Sequence, residues 1–103
     1  MADLTKVTGF DWDDGNARKN DRHGVSIAEA EQVFFSVPLL LLVDHAHSSS
    51  EPRFHALGRT LQGRQLHVTF TLRKGGKVIR VISARDMHRK ERVIYEEATE
   101  ADS

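Results

Sequence analysis

The chain has no cysteine among its 103 residues, which excludes a disulfide framework and cysteine-ligated zinc. It also lacks a long apolar run. The longest, Val37 to Val43, contains Pro38 and is strand-sized, far short of the ~20 residues a membrane span requires. No basic segment leads into an apolar stretch at the N-terminus, so no secretory leader is expected and a cytoplasmic location is. The glycine signatures of nucleotide sites, G-x-G-x-x-G and G-x₄-G-K-[ST], are absent. So are the H-E-x-x-H and H-x₃-H spacings of zinc sites. The six histidines form one tight cluster, Asp44-His45-Ala46-His47, whose place in a polar loop favours a solvated turn over a metal centre. No metal and no cofactor are expected.

What is present suits one small domain. About 100 residues bury roughly two-thirds of their unfolded surface, and 39% hydrophobic with 29% charged residues is ordinary for a globular protein. The zero net charge conceals segregation. Residues 1–52 carry four Lys/Arg against nine Asp/Glu, residues 53–92 eleven against two, and the tail from Val93 four acids. A basic block inside a neutral chain is the footprint of a polyanion ligand; the competing reading is a solvated surface that the acidic segments neutralise on folding.

Periodicity and turn residues predict the elements. Phe10-Asp11-Trp12 reads as a short strand. Asp13 N-caps a helix from Asp14 to His23, ended by Gly24. Ser26 and Glu29 form a capping box, and Ile27, Ala30, Val33 and Phe34 follow at helical spacing as one buried stripe. Pro38 stops that helix. Strands follow at Leu39–Asp44, Arg53–Leu61, Gln65–Leu72 and Lys77–Arg85, with a polar loop from His45 to Pro52 and hairpin turns at Gln62-Gly63 and Gly75-Gly76. A last helix starts near Asp86, its expected cap, and runs through Glu97. The expected fold is α+β: two N-terminal helices packed on an antiparallel sheet of four to five strands, with a C-terminal helix. One domain is expected over residues 10–97, with flexible termini at 1–9 and 98–103.

Counting outward from Gly75-Gly76 places Thr71 opposite Arg80 and Thr69 opposite Ile82, and directly opposed residues share a face. Leu66, Val68, Phe70, Leu72, Ile79 and Val81 then form the core face, and His67, Thr69, Thr71, Arg80, Ile82 and Ala84 the polar one. On the last helix His88, Arg92 and Tyr95 recur at i, i+4 and i+7. RNA can be cut without a metal if one group deprotonates the 2′-hydroxyl, cations stabilise the phosphate's growing charge and an acid protonates the leaving oxygen. Histidine, arginine and tyrosine suit those roles.

Three segments make the chain resemble the BrnT toxin family, whose fold is similar to that of RelE-type ribonuclease toxins. They are Phe10-Asp11-Trp12-Asp13 with Asn20-x-Arg22-His23-Gly24-Val25-Ser26; Gly63-Arg64; and Ile79-Arg80-Val81-Ile82-Ser83-Ala84-Arg85 followed by Glu91-Arg92 and Tyr95-Glu96. Arg22 stands where such proteins usually have lysine, Val81 where they often have isoleucine, and His67 at a commonly aliphatic position. The resemblance implies a metal-independent endoribonuclease toxin that inhibits translation and growth. It also implies a BrnA-like ribbon-helix-helix antitoxin as partner, with operator DNA bound only through that antitoxin; a homodimer within the complex stays open. Two alternatives of other classes remain: a non-catalytic corepressor and a toxin that poisons a topoisomerase.

Arg80, Thr71, Arg85 and His67 are the expected catalytic set. Arg80 would hold the scissile phosphate, with an ion pair as its structural alternative, and Thr71 would orient phosphate or arginine. Arg85, counted to the core-face side, would contact phosphate or pair with Glu91. His67 would act as acid or base, with only a partial loss expected on its removal. His23, Arg89, Arg92 and Tyr95 are the expected substrate-binding residues; helix capping competes for His23 and packing for Tyr95. RNA binding should be salt-sensitive, because cations meeting phosphates release counterions. Affinity for a generic RNA, measured by filter binding from low to moderate salt, should fall linearly on a log–log plot. A flat response would reduce the basic block to surface charge.

Overall fold

A computed structural model describes residues 2–46 and 51–102, the last of these by its backbone alone. His47 and the three serines after it, part of the expected 45–52 loop, lie outside the described residues. The elements are β1 (Gly9–Asp11), α1 (Asp14–Arg22), α2 (Ile27–Val33), β2 (Leu40–Asp44), β3 (Arg53–Arg59), β4 (Gln65–Arg73), β5 (Val78–Asp86) and α3 (Arg89–Asp102). The fold is α+β, as expected. Its five-stranded sheet has the order β1-β5-β4-β3-β2. It is mixed rather than wholly antiparallel, because β1 lies parallel to the edge of β5, with Asp11 opposite Arg80.

Both N-terminal helices start where their caps dictate. Asp13 and Asn16 exchange backbone-to-side-chain hydrogen bonds at the head of α1, and Ser26 and Glu29 do the same at the head of α2. At the end of α1 the backbone turns through Gly24 at φ +68°, which a residue with a Cβ adopts only at a cost. The polar α1 docks by hydrogen bonds in place of an apolar stripe: Asn16 Nδ2 donates to the carbonyls of Asp11 and Val81, each at 2.9 Å. The shorter α2 buries Ala30 and Val33 and packs Phe34 edge-on against Phe70, while Ile27, expected in that stripe, is 41% exposed. Gly58 on β3 permits this approach, since a Cβ there would stand 2.8 Å from atoms of Val33.

The main core lies between α2 and one sheet face, where Ala56, Leu66, Val68, Phe70, Ile79, Val81 and Ala84 are buried. On the opposite face a smaller cluster of Leu57, Met87 and Tyr95, with Leu40 against it, anchors α3. Asp86 does not cap this helix. It ends β5, where both its carboxylate oxygens accept from Arg64 at 2.8 and 3.0 Å, while α3 begins at Arg89 with the His88 N–H donating to Glu91. Nor does the helix stop at Glu97; it continues to Asp102, with the Thr99 hydroxyl donating back to the Tyr95 carbonyl. At the other end Ala2, Leu4 and Val7 pack against the main core.

Arg64 ties this corner together. Besides Asp86 it donates to the Gly24 carbonyl at 2.8 Å and to Glu29 at 3.1 Å. The Asp86 carboxyl is held below its usual range by Arg64; that of Glu29 is lowered first by the Ser26 N–H and then by Arg64. The cap itself is testable. Ser26→Ala should cost about 1 kcal/mol, which for a domain of this size lowers the melting temperature by roughly 4–8 °C. An unchanged thermal unfolding curve would show that the cap contributes nothing.

Candidate active site on the polar sheet face

Alternation decides which side chains meet on the face that α2 leaves uncovered. The expected pairing of Thr71 with Arg80 is present, but the register shifts between Thr69 and Phe70: Phe70 faces Val81 while Thr69 faces Ser83. Ile82 is the extra residue on β5, so every side chain after it changes face relative to simple alternation. Ala84, expected on the polar face, enters the core opposite Val68, and Arg85, expected on the core side, emerges opposite His67. The bulge therefore corrects the sequence count for both residues.

Two rows of side chains result. Leu42, His55, Thr69 and Ser83 are successive partners across β2, β3, β4 and β5, and Leu40, Leu57, His67 and Arg85 form the adjacent row. The rings of His55 and His67 lie 4.7 Å apart, centroid to centroid. His55 Nε2 stands 3.1 Å from Asp44 Oδ2, and its Nδ1 is 3.1 Å from Thr69 Oγ1. Both ring nitrogens thus face polar partners, a carboxylate on one side and a hydroxyl on the other. Arg85 makes a two-pronged pair with Glu91, Nη1 to Oε1 at 2.8 Å and Nη2 to Oε2 at 3.0 Å. His67 Nε2 stands 3.7 Å from Glu91 Oε2. His55, His67, Thr69, Arg85 and Glu91 line one cavity of about 470 Å³ together with Leu42, Leu57 and Ile94.

The electrostatics separate the two imidazoles' neighbours into distinct environments. Burial, reinforced by the Arg85 charge, pushes His67 down to about 4 against the opposing pull of Glu91, so the ring is neutral at pH 7. Burial works against the charge of Glu91, but hydrogen bonds from Arg85 and the His88 N–H overcome it and hold the carboxyl at about 2. His55 did not figure among the expected site residues. Its alternation with His67 across β3 and β4 is the signal that marks it.

The other expected residues are placed as follows. Arg80 donates to Asp13 at 2.7 Å and lies 3.3 Å from Asp11, so its charge is matched by two carboxylates and it braces β5 against β1 and the head of α1. The Asp13 carboxyl is lowered first by the Asn16 N–H and then by Arg80. Thr71 is 1% exposed and its hydroxyl donates to the Pro52 carbonyl at 2.7 Å, which corrects the expectation that it orients a phosphate. Tyr95 is fully buried with its hydroxyl on the Pro38 carbonyl, so packing, not substrate contact, is its role. His23 is the exposed C-cap of α1 and does not line the cavity. Arg89 and Arg92 are exposed at the start of α3, Arg92 also donating to the Met87 carbonyl.

Fold and cavity together define a small α+β protein that gathers two imidazoles and a guanidinium in a recess between its sheet and its C-terminal helix. The chain belongs to the BrnT family: the model of the ribonuclease toxin, BrnT, of type II toxin–antitoxin systems matches residues 12–91. It is therefore a member of a family of ribonuclease toxins that work opposite an antitoxin. No curated protein matches the chain. Among the described residues no helix is long and apolar enough to cross a membrane.

The environment of His67 makes stability depend on pH. Its folded-state value near 4 lies below the unfolded value of 6.5, so between these values the unfolded chain binds a proton that the folded chain refuses. Stability should hold above about pH 6.5 and decline by up to about 3 kcal/mol as pH falls towards 4. Urea unfolding at pH 7, 5.5 and 4 measures this, and His67→Gln should flatten the slope in that window. An equal slope in the variant would mean that His67 protonates freely in the folded protein.

Proposed function

We propose that the chain is a metal-independent endoribonuclease that cuts RNA at the His55–His67–Arg85 cavity. The observation that carries this reading is the pair of imidazoles 4.7 Å apart beside a guanidinium in the recess between the sheet and α3. His67, neutral at physiological pH, takes the proton of the ribose 2′-hydroxyl. The 2′-oxygen attacks the adjacent phosphorus, and the bond from phosphorus to the 5′-oxygen breaks. His55, held between Asp44 and Thr69, gives its proton to that leaving oxygen. The products are a 2′,3′-cyclic phosphate and a free 5′-hydroxyl. Arg85 keeps its Nε–H free of any acceptor among the described residues and can donate it to the charged phosphoryl oxygen, as preorganised donors do.

The start of α3 supports the RNA reading. Arg89, Lys90 and Arg92 occupy its first turns, where the helix dipole disfavours cations. Charges placed against the helix's own preference fit a polyanion that passes over this end. Arg80, already matched by Asp11 and Asp13, serves as a brace. The family assignment favours RNA as target over a topoisomerase, and catalysis over a purely corepressing role. The partner is an antitoxin of ribbon-helix-helix type, through which the complex reaches operator DNA. Free of it, the enzyme acts in the cytoplasm, cutting RNA and halting translation and growth.

Cleavage of an end-labelled RNA in EDTA tests the assignment. Arg85→Ala should lower kcat by about 10²–10³. His55→Ala should lower it by at least about 10², with a smaller loss for His67→Ala because a weakly basic imidazole is a modest proton acceptor. Arg80→Ala, checked for folding by circular dichroism, should still cut. Full activity in Arg85→Ala and abolition in a folded Arg80→Ala would move the active site to the other end of the sheet face.

A further inference from the structure

Two aliphatic side chains beside the imidazole pair are left in water. Leu42 on β2 and Ile94 on α3 are 55% and 52% exposed, and both line the cavity that holds His55 and His67. Nothing among the described residues covers them, and they project from different elements towards the same space. Buried Leu57 lies deeper in the same cavity, whose volume of about 470 Å³ falls within the ~300–1,000 Å³ of small-ligand clefts. A flat, largely apolar group attached to a phosphate fits such a recess, with its phosphate left at the mouth beside Arg85.

Apart from the reacting groups, the polar side chains of the cavity are already engaged. Thr69 is spent on His55, and Glu91 on Arg85 and the His88 N–H, while His55, His67 and the Arg85 Nε–H serve the ribose and the phosphate. Few donors or acceptors remain to read the edge of a base. Resting on the ribonuclease reading above, we propose that the cavity receives one unstacked nucleobase against Leu42 and Ile94, so that the enzyme requires single-stranded RNA and discriminates little among the four bases.

Both halves of the proposal follow from the same geometry. A cleft that holds a base by apolar contact leaves no buried polar group unpaired when the base changes. Discrimination from such contacts is about 10–200-fold at most, whereas sites that hydrogen-bond a substrate reach 10⁴–10⁵. In an A-form duplex each base is stacked and paired, and its edges are not free to enter a recess between a sheet and a helix. Pulling a base out first adds an unstacking penalty that single strands largely escape.

The test uses four otherwise identical oligodeoxynucleotides that each carry one ribonucleotide, A, C, G or U, single-stranded or annealed to a complement. The full chain should cut all four single strands with kcat/KM within about tenfold of one another and the duplexes at least about a hundredfold more slowly. Ile94→Ala and Leu42→Ala should raise KM for all four alike while kcat changes little, with folding checked by circular dichroism. A preference above a thousandfold for one base, equal cutting of duplex, or an unaltered KM in both variants would overturn the proposal. A second measurement separates it from the ribonuclease reading. Nucleoside 3′-monophosphates titrated into methyl-labelled protein should shift the Leu42 and Ile94 methyl resonances with all four bases. Methyl shifts without cleavage of any RNA would refute the catalytic reading and leave the base cleft standing; unshifted methyls would refute the cleft.

Discussion

One inserted residue decides what this sheet face can do. Without the bulge at Ile82, strict alternation would carry Arg85 into the core and bring Ala84 out beside His67. The register shift reverses both. It feeds a small side chain to the core under the helices and delivers a guanidinium to a face that already holds two histidines. Glu91, at the head of α3, then completes the arrangement by gripping Arg85 with both oxygens. The placement of α3 and the chemistry of the cavity therefore share one cause. A bulge increases local twist and re-aims side chains, which is why such features gather near functional sites.

The basic block read from the sequence divides into cations with different duties. Arg64 and Arg80 are consumed in holding elements together: Arg64 joins the end of β5 to the corner between the N-terminal helices, and Arg80 joins β5 to β1 and α1. Arg73 lies against Glu51 on the same face. Arg85 is matched by one carboxylate yet keeps donors to spare, and Arg89, Lys90 and Arg92 stand in solvent. The acidic N-terminal half thus neutralises one end of the sheet face and leaves the cations at the start of α3 exposed.

Burial and partners distinguish the two histidines. His67 lies against Leu57 and Arg85 in the interior row, and desolvation with a neighbouring positive charge keeps it neutral. His55, one row further out, is placed between a carboxylate and a hydroxyl. The exposed Leu42 and Ile94 extend the same recess outward.

Local signals in the chain determined the elements, because caps, turns and periodicity act over a few residues. Asp13 and Ser26 start their helices, Gly24 and Pro38 end them, and Gly75-Gly76 sets Thr71 opposite Arg80. The motifs shared with the BrnT family, His23-Gly24-Val25 and Ile82-Ser83-Ala84-Arg85 among them, were equally legible. The candidate site was legible only in part: His67 and Arg85 stood among the expected residues, but the face of Arg85 and the place of His55 did not. No propensity marks Ile82 as the residue to be bulged, so the face of Arg85 could not be counted from the turn. His55 becomes a neighbour of His67 only when β3 pairs with β4 in a register that depends on the three residues 61–63 between Thr60 and Arg64. Whether an arginine binds substrate or braces the fold depends on which carboxylates arrive beside it, and for Arg80 these come from β1 and the cap of α1, nearly seventy residues away along the chain. Pairing of that range is decided by the packing of the whole sheet and lies beyond what any local stretch of sequence specifies.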